Sequence, residues 1–244
     1  MYNFKLPNLS NVQNIGTTLV SNINKVFSDI FEQMQNNLQK QEENLRILAT
    51  KQGIAFPLSL PIQMMYAFKF NQSNDIYACI NYTYWVEEEN FHFISYIQEE
   101  VNQVYKNYYV NEQFNLMKRN DLNLFVPFLL VLIEKLCRKI INKEEDRIHY
   151  STITNKLVEE WEEIVSINNI DEFISNYYKA IFDQVINKQI YSDEKKYIPN
   201  YKNYNRHRIL HAKSNFDEFT IEKTSNLLFV VMFLVDIINL KNEL

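Results

Sequence analysis

Two arginines and two histidines crowd one short segment near the end of this 244-residue chain, Asn205-Arg206-His207-Arg208-Ile209-Leu210-His211. Imidazole titrates near neutral pH and can give or take a proton there. Guanidinium is a permanent planar cation whose fork matches phosphate oxygens. A metal-free reaction at a phosphodiester needs both: a group that moves protons and a fixed cation against the charge that builds on the phosphoryl oxygens. Asn205 is a good N-cap, and the residues behind it read as the first turns of a helix. A helix start favours Asp or Glu, so Arg206 and Arg208 are each unfavourable there by about 0.3–1 kcal/mol. Cations on free helix N–H groups make sense where an anion is expected, because the two together form a phosphate site.

The surrounding residues extend that expectation. From Tyr191 to Lys213 the cations Lys195, Lys196, Lys202, Arg206, Arg208 and Lys213 face only Asp193 and Glu194, a local net of +4 in a chain of net charge −5. Tyr191, Tyr197, Tyr201 and Tyr204 are interleaved with them. Cations with stacking aromatics are what a single-stranded polynucleotide needs, which nominates Arg208, Lys213, Lys202, Lys196, Tyr204 and Tyr201 as RNA contacts. The same composition also describes a solvated loop, since the chain holds 16 tyrosines in all.

Other groups carry less. His207 and His211, spaced i, i+4, could chelate zinc, but no third ligand is placed by the sequence and the H-E-x-x-H pattern is absent. No metal or other cofactor is therefore expected. His92, between two phenylalanines, reads as structural or surface, and His149 as lying at a helix junction. Glu87 to Glu89 and the glutamates around Trp161 read as solvated helix faces. Glu134 differs, being a lone acid amid Leu130 to Ile140. A buried carboxylate wants a partner, and an arginine of the motif is a candidate. Cys79 and Cys137 are too few for a disulfide framework and read as small buried hydrophobes in a reducing compartment.

The elements that must position these residues are helices. Only Gly16 and Gly53 occur in the whole chain, which excludes Gly-rich phosphate loops and disfavours a β-sandwich. Apolar residues at 46% and charged residues at 23% indicate a folded globular chain. From Ile23 to Leu48 the apolar positions form one face of a long amphipathic helix, with Gly53 where a C-terminal cap belongs. Further helices are expected over Asp75 to Glu88, through Ile94 to Tyr108, over Leu122 to Ile141 behind an Asp121 cap, over Ser151 to Val165, over Asp171 to Ile190 and from about Phe219 to Leu240. The fold expectation is all-α: an N-terminal helical arm and loop (1–60), a helical connecting region (61–120) and a helical bundle (121–244). The stretch Leu122 to Ile133 is too short to span a bilayer, and the N-terminus shows no signal-peptide pattern. A cytoplasmic protein without a membrane partner is expected.

Asn205-Arg-His-Arg-Ile-Leu-His211 resembles the N-R-H-x-h-L-H signature, h being apolar, of bacterial HEPN-domain proteins, in which Arg and His stand in an R-x4-H pattern. Arg206, His207 and His211 match it. The helix after the motif is similar to the family's final helix, and Leu122 to Ile141, with Glu134 in its middle, to the core helix before it. The family often has Gly after the last histidine, where this chain has Ala212. The resemblance implies a HEPN-type bundle and a homodimer. It also implies metal-independent endoribonuclease activity of the toxin–antitoxin or phage-defence kind, with an antitoxin or phage-derived trigger as a further partner. In that reading the substrate's 2′-OH attacks the phosphodiester, His211 is the general acid or base, Arg206 clamps the phosphate, and His207 orients or assists. Asn205 and Glu134 give structural support.

Five residues on a regular helix are roughly 140° apart, so Arg206 and His211 do not share a face. Either Arg206 folds back over the cap, or two chains pair their motifs in a dimer cleft. The alternative is a non-catalytic helical module that binds RNA, a nucleotide or a protein.

Overall fold

In a computed structural model, residues 46, 47, 50, 53–57, 59, 93–105, 108–118, 121–143, 149–193, 203–211 and 219–242 are described. The chain divides into two compact units, 1–44 and 45–244, and all the described residues belong to the second. The expected helix over 23–48, apart from helical residues 46 and 47, the expected helix over 75–88, His92, Cys79, and the cations and tyrosines between 194 and 202 lie outside the described residues, as do Ala212 and Lys213.

Most of the described residues are helical, with no strand among them. In chain order they form α1 (Phe93–Val104), α2 (Tyr108–Lys118), α3 (Leu122–Ile140), α4 (Tyr150–Asn168), α5 (Glu172–Ile181), the short α6 (Arg206–Leu210) and α7 (Ile221–Asn242). A π-helical segment, Phe182–Ile190, continues α5. The periodicity across Ile94 to Tyr108 suggested one helix, but the chain breaks at Tyr105 and restarts as α2. No Gly or Pro marks that break. The π turns are likewise invisible in the sequence; there Tyr191 N–H donates to the Ile186 carbonyl five residues back.

Helix α7 is the central element and packs against α3, α1 and α4. Its residues from Leu227 to Val235 are all fully buried, as befits a helix apolar all round. The stretch Lys223–Asn242 is long and apolar enough to cross a membrane, and 78% of its apolar window is buried inside the fold. Trp161 of α4 stacks on Tyr178 of α5 at 4.4 Å, and Tyr178 meets Phe233 of α7 at 4.7 Å, so aromatic rings join three helices.

Helix ends are closed by residues other than glycine. Asn142 and Asn169 take positive φ after α3 and α4, the left-handed role that Asn fills next best after Gly. Asp171 caps α5 by accepting from Phe173 N–H at 2.8 Å. Asp121 occupies the N-cap place of α3 but its side chain makes no capping bond, contrary to the capping role expected of it. Lys241, in the last turn of α7, donates to the Ile140 carbonyl and to Glu160, tying the ends of α7 and α3 to the middle of α4. Gly53 has φ +68, the conformation a helix cap requires. It opens a stretch in which Ile54, Ala55 and Phe56 are buried in the core.

Candidate functional site

The motif forms the five-residue helix α6 on the rim of the bundle, beside α3. Asn205 sets its start. The Asn205 side chain is almost wholly buried, at 1% exposure. Its Nδ2 donates to the Ser192 carbonyl at 2.9 Å, to Ser192 Oγ at 3.0 Å and to the Gln189 carbonyl at 3.2 Å. Its Oδ1 accepts from Arg208 N–H at 3.1 Å. One amide thus caps α6 and fixes it to the end of the π-helical segment. Because that cap takes the Arg208 N–H, and α6 has fewer than two turns, the helix start does not present the row of free N–H groups expected for phosphate.

Arg206 turns inward. Its guanidinium pairs with Glu134 of α3, which also accepts from Arg138 Nε and Nη2 at 3.0 and 2.8 Å. The three side chains are 13–15% exposed, so the charges sit largely out of water and depend on one another. One carboxylate thus sits between two guanidiniums. The lone acid in α3 therefore meets an arginine of the motif, and a second arginine one helical turn further along α3. Arg138 was the missed member; its i, i+4 relation to Glu134 was the available signal.

His207 and His211 point the other way. Both are exposed, and their rings lie 4.4 Å apart at an interplanar angle of 52°. His211 takes the C-cap place of α6 and donates its backbone N–H to the His207 carbonyl at 3.2 Å. The geometry thus joins His207 to His211 and Arg206 to Glu134. Arg206 does not fold back over the cap; the carboxylate in α3 holds it. Arg208 is half-buried in the same helix. Among the described residues no three His, Cys, Asp or Glu side chains gather as a metal site. His149 lies at a helix junction, its carbonyl accepting from Thr152 and Ile153 at the start of α4.

Tyr204 is a correction. The sequence placed it among the stacking platforms for RNA, yet it is 1% exposed. Thr220 N–H donates to its hydroxyl at 2.7 Å, and the hydroxyl donates back to the Thr220 carbonyl at 3.1 Å. The Phe219 ring packs edge-on against it. A tyrosine buried on all sides cannot stack on a base. It pins the loop before α6 to the start of α7 instead. Gln189, Ser192 and Thr220, which hold the motif in place, were not anticipated, because single polar residues on helix ends carry no pattern.

Cys137 is buried and free, and burial pushes its thiol well above the usual range. It is therefore an inert core residue rather than a nucleophile. Comparisons with protein-family models, characterised proteins and solved structures return no match to this chain.

Proposed function

We propose that this chain is a metal-independent endoribonuclease whose working surface is the exposed face of α6. The observation that carries the reading is the His207–His211 pair, two solvent-facing imidazoles 4.4 Å apart, one residue along the chain from an arginine locked to α3. Two histidines in one chain supply a base and an acid without a partner's imidazole. In the reaction, one imidazole accepts the proton of the substrate's 2′-OH as that oxygen bonds to the adjacent phosphorus. The bond from phosphorus to the 5′-oxygen breaks, and the other imidazole protonates the leaving oxygen. The products are a 2′,3′-cyclic phosphate and a 5′-hydroxyl end, and no water is consumed. His211 is assigned one of these roles and His207 the other or an orienting one. The guanidiniums of Arg206 and Arg208, in the same short helix as the histidines, supply cationic groups near the phosphate's path. The HEPN resemblance of the motif supports this chemistry, and with it a role of the toxin or phage-defence kind.

The test is incubation of RNA with wild type and His211→Ala in EDTA. Cleavage by wild type that leaves cyclic phosphate ends, and a loss of about 100-fold or more in the variant, is the expected result. Equal cleavage by both proteins, or activity abolished by EDTA, overturns the reading.

The second reading, a non-catalytic module for RNA, a nucleotide or a protein, is favoured by one observation: the Arg206 guanidinium is already engaged by Glu134. It predicts RNA binding that His211→Ala leaves unchanged and no cleavage by either protein.

A further inference from the structure

His207 and His211 are exposed on one face of the α6 turn, four residues and so about 40° apart around a helix. The backbone that carries them is anchored. His211 N–H donates to the His207 carbonyl at 3.2 Å, Asn205 caps the turn from a buried position, and Ile209 on the opposite side is buried in the core. Two imidazoles on an anchored backbone form a chelate in which little ordering remains to be done when a ligand arrives. The rings fit that use. Two parallel ring planes share no point, so no ion could lie in both, whereas planes tilted by 52° intersect. An ion about 2 Å from one nitrogen of each ring leaves the ring centres roughly 4.5–5 Å apart when its two bonds diverge by about 90–110°. The observed separation is 4.4 Å, close to the right-angled arrangement of tetragonal Cu²⁺ and Ni²⁺.

We infer that His207 and His211 form a reversible binding site for a late first-row divalent ion, Cu²⁺, Ni²⁺ or Zn²⁺, held through one nitrogen of each imidazole. Imidazole suits these ions, and the usual order of their affinities places Cu²⁺ first. Hard ions are not candidates, because Mg²⁺ and Ca²⁺ take oxygen ligands and the pair offers none. Neighbouring charge does not draw the ion in: Arg208 shares the helix, and the nearby carboxylate of Glu134 is engaged by Arg206 and Arg138. The pair therefore holds its ion by donation from nitrogen rather than by Coulomb attraction, which sharpens the preference for this end of the series. Two protein ligands leave the remaining positions to water, so the ion exchanges readily, unlike a structural zinc closed by four side chains. One consequence rests on the ribonuclease reading. A nitrogen bonded to a metal can neither accept nor deliver a proton, so the ion is an inhibitor of that chemistry and not its cofactor.

Calorimetric titration of the full chain with Ni²⁺, in a buffer that does not bind the ion, tests the site without any RNA. The pair should take up a single ion per chain. His207→Ala and His211→Ala should each raise the dissociation constant about tenfold or more, since removing even a group that only supports a metal ligand costs about as much. His149→Ala, at the start of α4, should bind as wild type does. Thermal melts verify that each variant keeps its fold. Equal Ni²⁺ binding by wild type and by the His207→Ala, His211→Ala double variant would overturn the inference, as would a wild type that takes up no ion. RNA cleavage is a separate measurement. Where wild type cleaves, saturating Ni²⁺ should suppress the reaction about 100-fold or more by removing both proton carriers, and EDTA should restore it. Cleavage undiminished by bound ion would overturn the inhibitory role. Absence of cleavage beside an intact Ni²⁺ site would support the site and count against the ribonuclease reading alone.

Discussion

The inward side of the motif and its outward side are built from different physics. Inward, Asn205 is buried under three polar contacts and Arg206 is paired with a part-buried carboxylate. Outward, His207 and His211 are exposed, with their rings side by side. The first arrangement fixes geometry, because a polar group out of water is costly unless its partners stay in place. The second leaves imidazoles where a large polyanion can reach them. One short helix can thus be held rigidly and still present reactive groups, provided that successive residues divide the two tasks.

Substitutions separate the two sides. Glu134→Ala should have the largest effect on stability, about 3 kcal/mol, since it leaves two guanidiniums largely out of water without their carboxylate; a shift of the denaturation midpoint measures it. Asn205→Ala comes next, at about 2 kcal/mol, from the lost cap and the unsatisfied buried carbonyls of Gln189 and Ser192. Chemical denaturation showing no loss for either variant would mean that the inward side is not a structural anchor.

A site remote from the motif calibrates these values. Tyr177 donates its hydroxyl to the Phe56 carbonyl at 2.8 Å, and burial raises its phenol well above the ordinary value. Tyr177→Phe should cost about 1 kcal/mol near neutral pH. Because the folded state favours the neutral phenol, its contribution is complete below about pH 10 and falls as pH rises towards the raised folded value. Alkaline destabilisation should therefore be shallower in Tyr177→Phe than in wild type, which denaturation at several alkaline pH values would reveal. The smallest effect belongs to His207→Ala and His211→Ala, each within about 0.5 kcal/mol of wild type. A large destabilisation by either would mean that the outward side also carries structure.

The sequence made the long helices plain because their apolar periodicity is strong: α3 and α7 lie within a few residues of the expected bounds. It did not reveal the break after Val104, where neither Gly nor Pro interrupts the pattern, nor the π turns of 182–190, which preserve an apolar face while adding a residue per turn. At the candidate site, the motif histidines and the unusual acid in α3 were visible as residue types. The direction of each side chain was not. Tyr204 shows why: among lysines and tyrosines it reads as a surface platform, and only the position of Thr220, 16 residues on, turns it into a core residue. Long-range partners of single polar groups leave no local trace.

Gly53 joins distant parts of the chain in a way that no linear reading would suggest. A β-carbon there would come within 2.1 Å of Gln189 Nε2. Gln189 Oε1 accepts from Asn203 Nδ2 at 3.0 Å, that same amide donates to the Gly53 carbonyl at 2.6 Å, and the Gln189 carbonyl accepts from Asn205. A methyl group at position 53 would therefore press on the amide whose backbone steadies Asn205, so an apparently innocuous alanine could disturb the two imidazoles from some 150 residues upstream. Gly53 thus acts as a spacer for the motif.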